Sequence, residues 1–176
     1  MKPRFKNIAD RNVCKKAWQY RGKARFVDST MLAYIAGFLD GDGSIFFQIV
    51  RRKDYRRKFQ IRSSVAFYQK TDSCRILKWL KGRLKAGYIR HRKTGISDYT
   101  IVESKEVERI LSILHPYVKL KKRQLELGLK ILRKLKKSQS NKDFLGVCRQ
   151  VDKFKLLNYS KKRTVTCSVV SKSLPL

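Results

Sequence analysis

The chain has 176 residues, with 44 lysines and arginines against 13 aspartates and glutamates, and a formal net charge of +31. A hydrophobic fraction of 42% supports a folded domain with a core and excludes a wholly disordered basic chain. So large a positive charge needs a polyanion as its partner. Nucleic acid is the first expectation, while a ribosomal or RNA-chaperone role would explain the charge equally well.

Membrane-spanning, secreted and zinc-binding classes are disfavoured by the same sequence. No apolar stretch approaches the ~18 residues of a membrane span, and the first residues lack the apolar core of a signal peptide. The four cysteines form no close pair, and the two histidines, His91 and His115, stand far apart, whereas zinc sites need closely spaced ligands. We therefore expect reduced thiols in an intracellular protein.

Residues 1–28 form a basic extension with weak hydrophobic patterning. Two interpretations are open: a leader without stable structure, or an arm that contacts a nucleic-acid backbone. The segment Asp28–Thr30 then provides N-cap residues for a first helix, which the apolar spacing predicts at about Thr30–Leu39. Gly41 and Gly43 are expected to supply the backbone conformations with which the chain leaves this helix.

The first predicted helix combines a small-residue surface with acidic residues at its end. Gly37 in a helix costs about 1 kcal/mol relative to alanine, so its presence beside Ala33 and Ala36 indicates close approach of a second helix. Asp40 and Asp42 follow at the helix C-terminus, where partial negative charge makes each carboxylate unfavourable by roughly 0.3–1 kcal/mol. A bound divalent cation would compensate for this, and an acidic turn that caps the next strand is the alternative.

Alternating apolar residues predict four strands, and helical spacing predicts the elements around them. The expected strands lie at about Ser44–Arg52, Phe59–Tyr68, Tyr88–Arg92 and Ile96–Val102. The expected later helices lie at about Thr71–Leu84, Ser104–Leu114, Lys119–Lys136 and Lys142–Leu157. A flexible tail is expected at 158–176. The order αββαββα predicts an α+β fold in which helices cover one face of a four-stranded antiparallel sheet.

The other face of this sheet is expected to be open, basic and rich in side chains that read bases. Arginine pairs with guanine and glutamine with adenine, and a twisted antiparallel ribbon fits the DNA major groove. A solvated sheet face is the alternative interpretation. The residues that we expect at the nucleic-acid interface are Gln48, Arg52, Tyr55, Gln60, Arg62, Arg90, Arg92 and Asp98.

The run Leu32-Ala33-Tyr34-Ile35-Ala36-Gly37-Phe38-Leu39-Asp40-Gly41-Asp42-Gly43-Ser44-Ile45 resembles the signature of the LAGLIDADG homing endonucleases. The resemblance is closest to the single-motif type encoded in rRNA-gene introns, and it covers roughly residues 30–157. It extends to Tyr68-Gln69-Lys70-Thr71, to Ser97-Asp98-Tyr99 and to the segment Pro116–Lys122. The basic extension and the tail are not covered by it.

The resemblance implies a homodimer that makes a site-specific double-strand break in a long pseudo-palindromic DNA site and leaves short 3′ overhangs. Two copies of the first helix would pack together through Ala33, Ala36 and Gly37, and this would bring two copies of Asp42 to one place. Each protomer would then cut one strand of the duplex.

The resemblance also implies which residues carry the chemistry. Asp42 would bind a divalent metal together with the backbone carbonyl of Gly41, while Asp40 supports the helix end or serves as a further ligand. Mg²⁺ is the expected ion, and Mn²⁺ or Ca²⁺ would fit the same oxygen ligands. Gln69 and Lys121 would position the attacking water and stabilise charge on the phosphate. For Lys121, a solvated basic face is the alternative.

One position departs from the family pattern. Ser73 stands where the family commonly has a basic residue, so either Arg75 or Lys70 substitutes for it, or the activity is altered. Some family members no longer cleave DNA and act as RNA-splicing maturases. The alternative function is therefore a non-cleaving nucleic-acid-binding protein with intron RNA as a partner. The resemblance places the protein in a chloroplast, a mitochondrion or a prokaryotic cytoplasm.

Overall fold

The computed structural model describes residues 28–158 and 164–174, so both interpretations of the extension concern residues outside it. The strands are β1 (Gly43–Arg51), β2 (Phe59–Lys70), β3 (Tyr88–His91) and β4 (Ile96–Ile101). The helices are α1 (Ser29–Asp42), α2 (Arg75–Leu84), α3 (Ser104–Leu114), α4 (Lys122–Lys137), α5 (Asn141–Asp152), α6 (Phe154–Leu157) and α7 (Cys167–Ser173). The predicted α+β class and αββαββα order are confirmed. No helix within the described ranges is long and apolar enough to cross a membrane.

The sheet is antiparallel throughout and has the strand order β1-β2-β4-β3. Successive side chains of a strand point to opposite faces, so the alternation in the sequence divides the sheet into a buried face and an open face. On the buried face the register pairs Phe67 with Tyr99, and both are fully buried. On the open face it pairs Gln48 with Arg62, two residues that the sequence predicted for this face.

Helices α1 to α5 contact the strands from the buried side of the sheet. The ring of Phe47 in β1 stacks on that of Phe154, with centroids 5.1 Å apart. Helix α4 passes over the same ring at Gly128, where an added Cβ would lie 2.7 Å from Phe47. Glycine is needed at this position because any side chain would push α4 away from the sheet.

Several element boundaries differ from the prediction. Helix α1 continues through Asp42 instead of ending near Leu39, so both acidic residues belong to its last turn. A short 3₁₀ turn, Thr71–Ser73, precedes α2. The predicted helix Lys142–Leu157 is divided into α5 and α6. Local periodicity does not report such interruptions, because the residues on either side keep the same apolar spacing.

The expectation of a tail without regular structure is wrong for residues 167–173, which form α7. Val170 in this helix is buried, and the backbone N–H of Cys167 donates to the carboxylate of Asp152 at 2.8 Å. A helix of this length is not stable by itself, so packing against α5 is what holds it. The described part of the tail therefore belongs to the same domain.

Gly43 begins β1 for a steric reason. Neither Gly41 nor Gly43 has a positive φ, so the expectation that they supply a special backbone conformation is wrong. A Cβ on Gly43 would lie 2.6 Å from the side chain of Leu39 and 2.7 Å from its backbone. The glycine lets β1 start directly against the end of α1, which places Asp42 at the junction between helix and sheet.

Candidate catalytic centre and nucleic-acid interface

Asp40, near the end of α1, is held by the chain segment that leads into α4. Its carboxylate accepts the backbone N–H groups of Lys119, Leu120 and Lys121, at 2.7, 3.1 and 2.9 Å. These donors offset the unfavourable position of a carboxylate at a helix C-terminus. Because both carboxylate oxygens already have protein donors, the contacts support the interpretation of Asp40 as a helix-end support.

Asp40→Ala is expected to lower the free energy of unfolding by about 2 kcal/mol, because three backbone donors lose a charged acceptor. For a chain of this size the fall in Tm would be roughly 4–8 °C. Thermal unfolding followed by circular dichroism measures it. Asp72→Ala, at an exposed aspartate of the 3₁₀ turn, is the matched control and should leave Tm nearly unchanged. Equal shifts in the two variants would contradict the structural role of Asp40.

Lys121 connects the segment before α4 to the acidic end of α1. Its Nζ donates to the backbone carbonyl of Asp40. Burial lowers the pKa of Lys121 below its ordinary value, while the negative charges of Asp40 and Asp42 act in the opposite direction. The ammonium group is therefore a half-buried charge with a fixed partner, and the alternative of a freely solvated lysine is wrong for this residue.

Asp42, the last residue of α1, differs from Asp40 in the contacts of its side chain. It is exposed, and no residue in the described part of the chain forms a hydrogen bond or ion pair with its side chain. Gly41 is also exposed, and an added Cβ there would meet no atom within 4 Å. The last turn of α1 therefore presents an unpaired carboxylate at an accessible position near Lys121.

Gln69 lies at the same end of the sheet as Asp42. Gly43 pairs with Phe67, so β2 continues past the start of β1, and Gln69 is two residues into this overhang. At about 3.3 Å per residue the overhang is short, which keeps Gln69 close to the end of α1. Its side-chain oxygen accepts the backbone N–H of Lys70 at 2.9 Å.

Ser73 is exposed in the 3₁₀ turn after β2, and the two cations near it lie in different places. Arg75 lines a groove together with Asp28, at the beginning of α1. Ser73 lines the same groove, whose α1 residues from Asp28 to Tyr34 lie roughly 12–21 Å before Asp42 at 1.5 Å per residue of helix. Lys70 is exposed at the end of β2, directly after Gln69. Arg75 therefore shares a groove with Ser73, whereas Lys70 adjoins Gln69.

The open face of the sheet carries polar side chains at regular register positions. Arg62 lies opposite Gln48, and both are exposed. Gln60 is half-buried on the same face. Arg52 and Tyr55 lie beyond β1 in the turn that leads to β2, with the Arg52 guanidinium 5.5 Å from the centre of the Tyr55 ring. The predicted interface residues therefore share one face and one adjoining turn.

A buried carboxylate holds the two arginines that follow the start of β3. Asp98 has 0% exposure and accepts from Arg92 Nε at 2.6 Å and from the Arg90 guanidinium at 3.2 Å. The hydroxyl of Thr100 donates to it at 2.9 Å, and the Arg92 guanidinium lies 5.6 Å from the Tyr68 ring centre. The side chains of Arg90 and Arg92 remain 56% and 42% exposed, so both are oriented and still accessible.

The prediction that Asp98 itself contacts nucleic acid is wrong, because its side chain has no exposed surface. Burial alone would raise the pKa of Asp98, but hydrogen bonds from Arg92, Thr100 and Arg90 outweigh burial and hold the pKa below its usual range. The carboxylate is therefore charged and acts through its arginines. The signal was present in the sequence, since the predicted hairpin turn places Asp98 opposite Arg90.

Asp98→Asn is expected to relax base selectivity at the base pairs that Arg90 and Arg92 contact, because the arginines lose the charge that orients them. Binding of a panel of single-base variants of the target measures this. Discrimination should fall by about tenfold at one or two positions of the target, with the other positions unchanged. Thr94→Ala, in the turn of the same hairpin, is the control. A uniform loss across all sequences would contradict a role in selectivity.

The exposed side of α1 carries small residues. Ala33 and Gly37 are exposed, and an added Cβ on Gly37 would meet no atom within 4 Å. Ala36 has 0% exposure and packs into the core beside Ile35 and Leu39, so its assignment to a dimer interface is wrong. The small-residue surface that remains consists of Ala33 and Gly37.

An apolar groove of about 780 Å³ lies beside this surface. Its apolar lining comes from Met31 and Tyr34 in α1 and from Ile76 and Trp79 in α2. The ring of Tyr34 is 54% exposed and meets Trp79 edge-on, with centroids 5.6 Å apart. Contiguous exposed apolar surface of this kind marks an interaction site.

Solved structures of related proteins have the same fold. The structure of I-CvuI bound to the I-CreI target with Mg, in which the DNA is not cleaved, superposes with a TM-score of 0.80 at 35% identity, over 85% of this chain and 95% of that chain. The structure of I-CvuI with its own target and Ca gives a TM-score of 0.79 over the same shares. The archaeal intron-encoded homing endonuclease I-Vdi141I, at 18% identity, supports the fold alone with a TM-score of 0.71 over 81% of this chain and 96% of that chain.

Sequence comparison gives the same relatives. The DNA endonuclease I-CreI of Chlamydomonas reinhardtii is 40% identical over 140 residues, which are 79% of this chain and 85% of the relative. I-CvuI of Chlorella vulgaris is 36% identical over 149 residues, 85% of this chain and 92% of the relative. Residues 35–130 match the family described as LAGLIDADG endonuclease. On this match and these identities, the chain belongs to the LAGLIDADG endonucleases, with a single motif that ends α1.

Proposed function

We propose that the protein is a homing endonuclease that binds a long pseudo-palindromic DNA site as a homodimer and breaks both strands by metal-dependent phosphodiester hydrolysis, leaving short 3′ overhangs. The observation that carries the proposal is Asp42, an exposed carboxylate without a hydrogen bond or ion pair to the described residues, in a chain of net charge +31. The Nζ of Lys121 donates to the backbone carbonyl of Asp40, so the Asp42 carboxylate is available to a cation.

A partly randomised duplex library, incubated with the purified chain with and without Mg²⁺, tests this function. We expect one family of related long sites to be cut, only when Mg²⁺ is present. Recovery of bound but uncut sequences under both conditions would contradict cleavage and favour a binding protein.

The donors at the end of α1 fit Mg²⁺. The Asp42 carboxylate and the Gly41 carbonyl are both oxygen ligands, and the described residues of one chain contain no group of three potential acidic, histidine or cysteine ligands. Mg²⁺ commonly uses one or two carboxylates and completes its shell with water and phosphate. When bound, the ion would polarise the scissile phosphate and stabilise the leaving 3′-oxygen. Mn²⁺ or Ca²⁺ suits the same donors.

The other residues of this centre have roles that follow from where they are held. The Lys121 ammonium stabilises negative charge that develops on the phosphate, and its contact with the Asp40 carbonyl fixes its position. The Gln69 side chain orients the attacking water by hydrogen bonding. Asp40 maintains the end of α1 against the segment before α4, and so keeps Asp42 and Lys121 in register.

The homodimer is proposed from the exposed side of α1. Ala33 and Gly37 allow two copies of the helix to approach closely, and the apolar groove beside Tyr34 and Trp79 extends the same surface. Burying that groove against a second copy would remove an apolar patch from water. Two Asp42 carboxylates would then lie close together, one for each DNA strand.

The DNA duplex would lie on the open face of the sheet. Gln48, Gln60, Arg62, Arg90 and Arg92 would contact base edges. Arg52 and Tyr55 would reach the outer part of the half-site from the turn after β1. An antiparallel ribbon of this kind fits the major groove, where arginine and glutamine have defined base partners. Arg52 already forms an ion pair with Asp54 at 2.8 Å. When DNA binds, this ion pair must either break or be oriented so that both side chains face the DNA.

Ser73→Arg is expected to raise the cleavage rate, because it restores a cation at the position where the family commonly has one. Single-turnover cleavage of the cognate duplex measures the change, for which we expect about tenfold. Lys70→Gln should lower the rate by a similar factor and should be rescued by Ser73→Arg in the double variant. Arg75→Gln is the matched control, and a loss as large as that of Lys70→Gln would contradict our choice of Lys70 as the substitute cation.

Ser73 also supports a second candidate, a non-cleaving maturase or nucleic-acid-binding protein with intron RNA as its partner. This candidate requires tight RNA binding and no cleavage from any DNA library in the presence of Mg²⁺. By the same resemblance we propose an intracellular site of action, in an organelle or in a prokaryotic cytoplasm, where an intron can carry the reading frame.

A further inference from the structure

We propose that the outer side of α2 is a second surface for duplex DNA, independent of base sequence and separate from the open face of the sheet. This proposal rests on the proposed function in one respect only, that DNA is the partner of the protein. The surface, named here the α2 basic face, consists of Lys78, Lys81 and Lys85 with the groove between them.

The α2 basic face contains a shallow, open groove. Its groove has a volume of about 590 Å³ and is lined, besides the three lysines, by Gly82, Ala86, Gly87 and Ile89. An added Cβ on Gly82 would meet no atom within 4 Å, so the space above this glycine is open. Residues with little or no side chain let a phosphate backbone approach the helix closely, with lysines on the rim to contact it.

The positive charge of this face is unopposed. Helix α2 contains no acidic residue, and none of the described residues that line the groove is acidic. None of the three lysines takes part in an ion pair within the described ranges. Lys78 and Lys81 are three residues apart on one side of the helix, and Lys85, the C-cap residue, lines the same groove, so the three like charges repel one another. A polyanion would relieve that repulsion.

The α2 basic face and the open face of the sheet point in different directions. Leu77, Leu80 and Leu84 are buried against the core on the inner side of α2, so the lysines lie on its outer side. An α-helix with its side chains is about 10–12 Å across, and α2 packs on the opposite side of the sheet from the open face. One straight duplex cannot contact both surfaces, and strong bending of a short duplex is costly. The α2 basic face therefore takes a second DNA segment.

The composition of the groove favours duplex over single-stranded nucleic acid. Sites for single strands combine cations with aromatic side chains on which bases stack. No aromatic residue lines this groove. Trp79, the aromatic residue of α2, belongs instead to the apolar groove beside α1 and packs under the Arg83 guanidinium at 5.6 Å. Lysines that contact phosphates alone would hold any duplex, and this would let the protein transfer between DNA segments during its search for a site.

The test uses the full chain bound to an unlabelled cognate duplex in Ca²⁺ and titrated with a fluorescent duplex of unrelated sequence. We expect a second binding event that weakens with salt. In the triple variant K78Q/K81Q/K85Q, the affinity for the second duplex should fall at least tenfold. The slope of the logarithm of the binding constant against the logarithm of the salt concentration should become shallower by about 2–3, because each lysine would contact one phosphate. Cleavage of the cognate duplex in Mg²⁺ should stay within about twofold of the unmodified protein.

The matched control is K105Q/K142Q/K153Q, which removes the same charge from exposed lysines of other elements. It should keep the second binding event. Equal losses in the two variants would overturn the proposal, and so would preferential binding of a single-stranded RNA to the same three lysines. Loss of cognate binding in the α2 variant would also overturn it, by making these lysines part of the first site. Failure of the proposed endonuclease would appear separately, as absence of cleavage in the unmodified protein.

Discussion

Asp42→Asn is expected to abolish cleavage while DNA binding is retained. Asparagine keeps the shape of the side chain but removes the negative charge that a divalent cation requires. We expect the single-turnover cleavage rate in Mg²⁺ to fall by about 10³-fold or more, and the Kd for the cognate duplex in Ca²⁺ to change by less than about threefold. Asp42 forms no hydrogen bond or ion pair with the described residues, so the Tm of the variant should change little.

The control for this experiment is Asp40→Asn, two residues earlier in the same helical turn. Because Asp40 accepts three backbone N–H groups, its replacement should lower Tm. At a temperature where the variant is folded, its cleavage rate should fall less than that of Asp42→Asn. The opposite pattern, with cleavage surviving in Asp42→Asn and lost in folded Asp40→Asn, would make Asp40 the metal ligand.

Gly37→Arg is expected to convert the protein to a monomer and to remove double-strand cleavage. An added Cβ on Gly37 meets no atom of the described residues within 4 Å, so this part of the chain accommodates the arginine. Helix propensity improves by up to about 1 kcal/mol. Between two closely packed helices the same side chain has no space. Light scattering at low micromolar concentration should give about 20.7 kDa for the variant and twice that mass for the unmodified chain.

Gly82→Arg provides a matched control, since Gly82 is also an exposed helical glycine with open space around it. It should remain a dimer and cleave normally. If Gly37→Arg is still dimeric and active, the paired-helix arrangement is incorrect and the small-residue surface of α1 has another purpose.

The sheet was predictable because its signal is local. Alternation along β1 and β2 decides which side chains face the core, and the register of Gln48 opposite Arg62 follows from the turn between the strands. The end of α1 was not predictable in this way. Glycines and carboxylates after Leu39 resemble a helix stop, yet the helix continues through Asp42, and backbone N–H groups about 80 residues away donate to the Asp40 carboxylate.

The roles of some predicted site residues were decided only by the tertiary structure. Ala33 and Ala36 are both small residues of one predicted helix, but only packing showed that Ala36 is inside the protein. Asp98 was placed on the correct face of the sheet, and its burial beneath Arg90 and Arg92 changed its role from contact to support. Periodicity shows on which face of a helix or strand a residue lies, whereas the burial of that residue depends on which parts of the fold cover it.

The sequence by itself determined the α+β class, the family and the position of two carboxylates at the end of a helix in a strongly basic chain. Periodicity, composition and a contiguous motif are properties of neighbouring residues, so no folded structure is needed to read them. Only the tertiary structure decided that Asp40 accepts the backbone N–H groups of Lys119 to Lys121, while Asp42 forms no hydrogen bond or ion pair with the described part of the chain. The hydrogen-bond donors to Asp40 lie about 80 residues away in the chain, and the fold alone brings them to it.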